Sequence, residues 1–458
     1  MRRELRLSIK FLGASQTVTG SKYLLEFNGR KVLIDCGLFQ GLKDLRRKNW
    51  EPFPVEAHSI DAIVLTHAHV DHSGYIPRLI NEGFRGKIFC TPGTLALCRI
   101  LLPDTGYLLE EEAEYLNRKK LSKHDPALPL FTREDAEKSI EQFVPRNFHE
   151  DFEVVPGLKV RFLNAGHILG AAMAFVKAGS TTIAFSGDVG RLNDAVMKAP
   201  EALPRFDYLV VESTYGDRLH PQTDPMADLE KIIRETVERR GVVLIPAFTV
   251  GRTQTLLHFL SVLKKRNRIP DVPMYLNSPM ATSVTETLHQ FRSLHKLSDE
   301  ECEEIRDVVR YVQSADESKM LNMRKAPMLI ISASGMATGG RILHHLKEFA
   351  PDPKSTIVLT GFQAAGTRGR SLQDGAREIK IHGQFVPVRA QVTLLENLSA
   401  HADYGEIVEW LTPTGAKPRK VFVTHGETKA ARSLCERLTE TFGWDCEAPQ
   451  QGDEFPLE

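Results

Sequence analysis

The chain has no Cys-x-x-Cys pair; its cysteines stand apart at positions 36, 90, 98, 302, 435 and 446. That spacing offers neither a disulfide framework nor a thiolate zinc knuckle, so a metal bound here must rest on imidazole and carboxylate. Long apolar runs are also missing, since no stretch approaches the roughly twenty residues that cross a bilayer. The opening MRRELRLSIKFLG lacks an apolar segment followed by a small-residue cleavage site. A cytoplasmic location is the expectation. An excess of charge is absent as well: 59 basic and 59 acidic residues balance to a formal charge of zero. This excludes a massively basic nucleic-acid coat but leaves room for a local basic groove. The basic clusters are KDLRRK at 43–48, RKK at 118–120, KKRNR at 264–268 and TRGR at 367–370, and each taken singly reads as a solvated face. Low-complexity tracts, fixed-period repeats and Ser/Gly linkers are lacking too.

What the chain does have is 458 residues, 42% of them hydrophobic, enough for about two or three globular domains. Short Val/Ile/Leu-rich runs recur, each ending in a polar residue: KVLIDCG, DAIVLTHAH, LKVRFLNAGH, TTIAFSGD, YLVVESTYG, GVVLIPAF, PMLIISASG, STIVLTGFQ and KVFVTHGE. Such runs between helical stretches read as buried strands of a layered α/β protein, whose ligands gather where strands end. Helical patterns cover YIPRLINEG, MADLEKIIRETVERRG at 226–241 and RTQTLLHFLSVLKKR at 252–266. Residues 105–150 read as two solvated helices joined by the link DPALP.

The densest chemistry is THAHVDHSG at 66–74. In extended backbone His67 and His69 point the same way and can hold one cation, while Asp71 and His72, past the turn, face a second. Two ions need further ligands, and strand ends offer His167 in NAGHILG, Asp188 in FSGDVG and His425 in VTHGE. Imidazole and carboxylate without thiolate suit zinc, with manganese as the alternative, in a catalytic rather than a closed structural site.

The HxHxDH segment with its downstream His and Asp resembles the metallo-β-lactamase superfamily. The resemblance implies an α/β fold, an αββα sandwich, with His67, His69 and His167 on one metal, Asp71, His72 and His425 on the other, and Asp188 bridging them. Asp35 in LIDCG matches that superfamily's first motif and would orient ligands from behind. Downstream, VVESTYG with Glu212, LSAHAD with His401 and VTHGE with His425 resemble the three motifs of the β-CASP nucleases, as do GRTQTLL, NSPMA, SASGMATGGR and GFQAAGTRGR. The implied domains are 1–216 and 381–458 for the metallo-β-lactamase part and 217–380 for an inserted α/β β-CASP domain.

In RNA-processing members of that family the third motif carries His, where the DNA-repair branch has Val; His425 favours single-stranded RNA as partner. The expected chemistry is phosphodiester hydrolysis with Asp71, Glu212 and His401 at the catalytic centre. Two cations activate hydroxide, His401 acts as the acid for the departing 3′ oxygen and Glu212 is its partner, leaving 5′-phosphate and 3′-hydroxyl ends. Internal cutting is favoured over 5′–3′ exonuclease action. Ser399, Arg368 and Arg370 are the candidate contacts to RNA. The alternatives are a DNA-directed nuclease, a thioester or lactam hydrolase, and a non-catalytic scaffold. The chain looks more like the compact relatives of the cleavage-and-polyadenylation endonuclease than like ribonuclease J, without a KH module or an extra C-terminal domain. No membrane partner is expected, and relatives of this kind often form homodimers.

Overall fold

The computed structural model describes residues 7–120, 122, 124–324 and 327–457. The runs named above fold as strands, and the chain divides into two compact units. One takes the chain up to Asn193, then Ala199–Leu219 and His401 onward; the other takes Asp194–Lys198 and His220–Ala400.

The first unit holds two seven-stranded sheets. Alternation decides which face of a strand is buried: in Leu7–Phe11, Leu7, Ile9 and Phe11 are buried while Ser8 and Lys10 are partly solvated. The inner faces meet through aromatic rings, with Phe11 and Phe422 at 5.0 Å, Phe89 and Phe152 at 5.4 Å and Tyr23 and Phe185 at 6.1 Å between centroids. Each such ring taken out of water stabilises the fold by roughly 1.5–3 kcal/mol.

Strand direction decides where the polar strand-end residues go. Arg30–Ile34 runs parallel to Ala62–Val64, so Asp35 and the segment 65–72 leave the first sheet at the same end. In the second sheet Thr181–Phe185, Tyr208–Glu212 and Lys420–Thr424 are mutually parallel. Leu158–Asn164 is antiparallel to Ala172–Ala178, which is antiparallel to Thr181–Phe185, so it points the same way as the parallel set. His167, Asp188, Glu212 and His425 therefore emerge together.

The helix expected from residue 105 begins instead at Pro92, with Thr91 as N-cap, and continues through Pro103 to Lys119. Its first half is not solvated, since Leu95, Leu97, Cys98, Leu101 and Leu102 are buried. Burial of that half holds the helix together across a proline that would end a solvated one. The second helix is Arg133–Ser139, closed by a capping box between Thr132 and Asp135.

The second unit is built on a six-stranded sheet with every neighbouring pair parallel. Its central strands Val242–Pro246, Met328–Ser332 and Thr356–Thr360 are buried along their whole length. This is the continuous apolar pattern that a sheet covered on both faces requires. Among the described residues no helix is long and apolar enough to cross a membrane.

Candidate metal centre

His67 Nε2, His69 Nδ1 and His167 Nε2 converge at the strand ends of the first unit, with His69 Nδ1 3.2 Å from each of the other two. Asp188 Oδ2 closes the group at 3.3 Å from His67 Nε2 and 3.5 Å from His167 Nε2. A second group adjoins it: His72 Nε2 lies 3.2 Å from Asp188 Oδ1 and 3.2 Å from His425 Nε2, and His425 Nε2 lies 3.3 Å from Asp71 Oδ2. Asp188 thus presents one oxygen to each group.

The donors fit divalent cations. Four ligands at about 2.0–2.1 Å around a tetrahedral ion stand about 3.4 Å from one another, close to the separations found here. Hydrogen bonding does not account for the arrangement, because several lone pairs face each other and the buried Asp188 Oδ1 and His69 Nε2 lack a hydrogen-bond partner. Burial, with His67 alongside, pushes His69 down to about 3, and burial with His401 holds His167 well below the usual imidazole range. Neutral rings with free lone pairs are what a metal needs. His72 differs: burial opposes its charge, but Asp188 and then Asp35 push it well above the usual range. Those carboxylates call for positive charge at His72, and a cation can supply it in place of a proton.

Asp35 sets which nitrogen faces the centre. Its Oδ2 accepts from His72 Nδ1 at 2.7 Å and from Thr66 Oγ1 at 2.8 Å, while Oδ1 accepts from Thr66 N–H at 2.8 Å. With its proton committed to Asp35, Thr66 Oγ1 accepts from His67 Nδ1 at 3.1 Å. One buried carboxylate therefore turns the Nε2 lone pairs of both His67 and His72 inward, one in each group. Asp35 adopts φ +58° and His425 φ +48°, left-handed conformations that cost energy for residues other than glycine. Close packing explains two neighbouring glycines: a Cβ on Gly37 would stand 1.6 Å from Asp71 O, and one on Gly190 2.0 Å from Gly166 O.

Beside the cage stands a third arrangement. His401 Nδ1 donates to Glu212 Oε1 at 2.9 Å, and its ring lies 4.5 Å from that of His167. Glu212 is fixed in turn by Val189 N–H at 2.8 Å and Thr214 N–H at 3.1 Å. Burial alone would lower the His401 pKa, but the Glu212 carboxylate outweighs it and raises it. The proton on Nδ1 is held by Glu212.

The structure thus gathers Asp35, His67, His69, Asp71, His72, His167, Asp188, Glu212, His401 and His425 in one unit. Ser399, Arg368 and Arg370 belong to the other. Ser399 is buried just after the turn Glu396–Leu398. Arg368 donates to the carbonyls of Lys380, Ala337 and Thr338, and Arg370 pairs with Asp374 at 2.9 Å.

Residues not singled out from the sequence as ligands or catalysts also shape the centre. Thr66 relays Asp35 to His67, Thr214 Oγ1 lies 3.2 Å from His425 Nδ1, and Ser21 Oγ lies 3.3 Å from His72 Nε2. Glu406 accepts from Arg191 Nε at 2.6 Å, from Leu192 N–H and from Asp403 N–H, fastening the loop after Asp188 to the helix that follows His401. Only its capping-box spacing from Asp403 was a local signal.

Comparison with known proteins agrees with this geometry. Residues 30–245 match the model of the beta-lactamase superfamily domain, 253–372 the Beta-Casp domain, and 386–449 the Zn-dependent metallo-hydrolase RNA specificity domain. Ribonuclease TTHA0252 of Thermus thermophilus is 35% identical over 436 residues, 93% of this chain and 94% of its own. The RNase J-like protein of Methanocaldococcus jannaschii is 31% identical, covering 98% of this chain and 99% of its own. Transcription termination factor FttA of Methanosarcina mazei is 30% identical over 93% of this chain and 68% of its own length. Likeness of this depth along nearly the whole length, with the motif residues meeting in space, means that the chain belongs to the β-CASP family of the metallo-β-lactamase superfamily.

Proposed function

We propose that the chain is a metal-dependent ribonuclease that hydrolyses RNA phosphodiesters to 5′-phosphate and 3′-hydroxyl ends. The observation that carries this reading is the pairing of His401 with Glu212 beside the His/Asp cage. A small-molecule hydrolase would have no use for that pair. The ribonuclease names of two relatives and the RNA specificity description of residues 386–449 support RNA over other substrates.

His67, His69 and His167 would hold one ion, Asp71, His72 and His425 the other, with Asp188 shared. Such ions, zinc by the donor set with manganese as the alternative, would neutralise phosphoryl oxygens and make water a better nucleophile near neutral pH. The chain's own groups do the rest. Asp35 keeps the ligand nitrogens turned inward, Asp71 and Asp188 would balance the cationic charge, and Glu212 holds the His401 Nδ1 proton and favours the charged imidazole. A water oxygen attacks phosphorus, forming the new P–O bond as P–O3′ breaks; the His401 Nε2 proton passes to the leaving 3′ oxygen, and the proton lost by the water returns to His401 through solvent. The upstream fragment keeps a 3′-hydroxyl and the downstream one a 5′-phosphate. Single-stranded RNA, gripped through phosphates and stacking, is the substrate class. Ser399, Arg368 and Arg370 stay proposed contacts to it, and a homodimer stays the proposed assembly.

The test incubates the metal-loaded chain with end-labelled RNA and DNA of one sequence, linear and circular. Cleavage of both linear and circular RNA, with DNA spared, is the expected result. Indifference to both polymers alongside turnover of thioesters or lactams overturns the reading.

A further inference from the structure

The basic cluster at 43–48 does not behave as an ordinary solvated face. It sits on a loop whose ends are tied by one buried side chain: Asn49 Oδ1 accepts from Phe39 N–H at 2.9 Å, and Asn49 Nδ2 donates to Phe39 O at 2.8 Å. Gln40 N–H adds a bond to Thr19 Oγ1 at 3.2 Å. The loop begins where the cage ends, since Cys36 N–H donates to His72 O at 2.7 Å and Leu38 N–H to Val70 O at 2.9 Å. A fixed loop rooted on the metal-binding segment thus projects the short helix Lys43–Arg47 into solvent.

On it Lys43, Arg46 and Arg47 are exposed, and Lys48 lies over the Phe39 ring. The one acid among them, Asp44, pairs with Arg47 across 3.4 Å at an exposed position, where such a pair is weak and readily exchanged. At the loop's end stands Trp50, 54% exposed. The chain's other tryptophans, Trp410 and Trp444, are only 4% and 6% exposed. A lone exposed apolar residue needs no explanation. An indole on a pinned loop that starts against the His69–His72 segment, next to three exposed cations, combines what single-stranded nucleic acid needs: a stacking face that accepts any base and cations for the backbone.

We propose that the loop 39–50 is a docking platform for single-stranded RNA next to the scissile phosphate, with Trp50 stacking on a base and Lys43, Arg46 and Arg47 contacting phosphates. This rests on the ribonuclease reading and adds to it a subsite. The charge of the patch favours a polyanion, and the indole favours one that carries exposed bases.

The arrangement of tryptophans supplies the test, because added ligand can reach one indole while the other two are buried. Metal-loaded His401→Ala chain, chosen for slow turnover, is titrated with a fluorescein-labelled single-stranded oligoribonucleotide while tryptophan emission and label anisotropy are followed together. Expected is quenching that saturates along the anisotropy curve and vanishes in Trp50→Phe. A Lys43→Ala, Arg46→Ala, Arg47→Ala triple variant should bind about tenfold more weakly at moderate salt and show a shallower salt slope. In the otherwise wild-type chain, Trp50→Ala should raise KM about tenfold, the loss falling on KM rather than kcat. RNA binding without quenching, or with unchanged affinity in the triple variant, overturns the platform while leaving the ribonuclease reading intact. Quenching by an acidic peptide but not by RNA would assign the loop to a protein and overturn it too. No RNA binding together with no RNA cleavage by the wild-type chain would sink both.

Discussion

His401 Nδ1 lies 2.9 Å from Glu212 Oε1, and that same oxygen accepts the backbone N–H of Val189, the residue after Asp188. One carboxylate thus ties the imidazole at the centre to the segment that carries Asp188. Ala402 N–H bonds Val189 O at 2.8 Å and strengthens the tie. His401→Ala should therefore lower kcat by about 10²–10⁴-fold, the range for a positioned acid, with metal content unchanged. Glu212→Gln should lower kcat less, since it keeps the shape but not the charge. Rates and metal content measured on the same preparations check both, and wild-type turnover in the alanine variant would remove His401 from the chemistry.

Asp35 touches no proposed metal position yet orients a ligand in each group, through His72 Nδ1 directly and through Thr66 to His67. Asp35→Asn should weaken binding of both metals, by about 10–100-fold. Thr66→Val should weaken only the group that contains His67. Competition with a chromophoric chelator measures this, and equal loss at both positions in Thr66→Val would contradict the relay.

Part of this was legible in the sequence and part was not. His67, His69, Asp71 and His72 declare themselves because three histidines and an aspartate fall within six residues, and strand-end His167, Asp188 and His425 follow from the layered pattern. Nothing local tells that His69 faces the cage through Nδ1 while His67 and His167 use Nε2, since ring orientation depends on packing across both sheets. Thr66 looks like an ordinary strand-end threonine until Asp35 arrives from the neighbouring parallel strand. The helix running through Pro103 and the loop pinned by Asn49 escape for the same reason: tertiary burial, not local pattern, decides both.

The second unit should have its own pH sensitivity. His345 is fully buried, with Nε2 accepting from Asn277 Nδ2 at 2.6 Å and Nδ1 donating to Asn322 Oδ1 at 2.5 Å, and burial, with His344 and Arg341, pushes it down to about 4. An unfolded histidine titrates near about 6.5. Between those values the unfolded chain binds a proton that the folded chain refuses, so stability falls as pH drops from about 6.5 toward 4 and this loss levels off below, reaching ~3 kcal/mol. Denaturant midpoints from neutral pH downward should show a smaller drop in His345→Gln than in wild type. Parallel curves would mean that this histidine gains its proton without cost.

Ions bound to the folded cage and not to the unfolded chain must stabilise it, by about 4 kcal/mol when free metal stands at 1,000 times its Kd. Chelation should lower the melting temperature and abolish RNA hydrolysis together, and zinc should restore both. In His67→Ala the stabilisation by zinc should shrink. A melting temperature indifferent to chelator in a chain shown to have been metal-loaded would count against a cage that spans both sheets.

The most direct measurement is the ratio of metal to protein after saturation with zinc and removal of excess, taken by elemental analysis on wild type and on His67→Ala and His425→Ala. Two ions per chain in the wild type, fewer in each variant and RNA cleavage that follows occupancy are expected. A ratio near zero with zinc and with manganese alike, or RNA cleavage that persists at that ratio, would contradict the metal centre on which the rest depends.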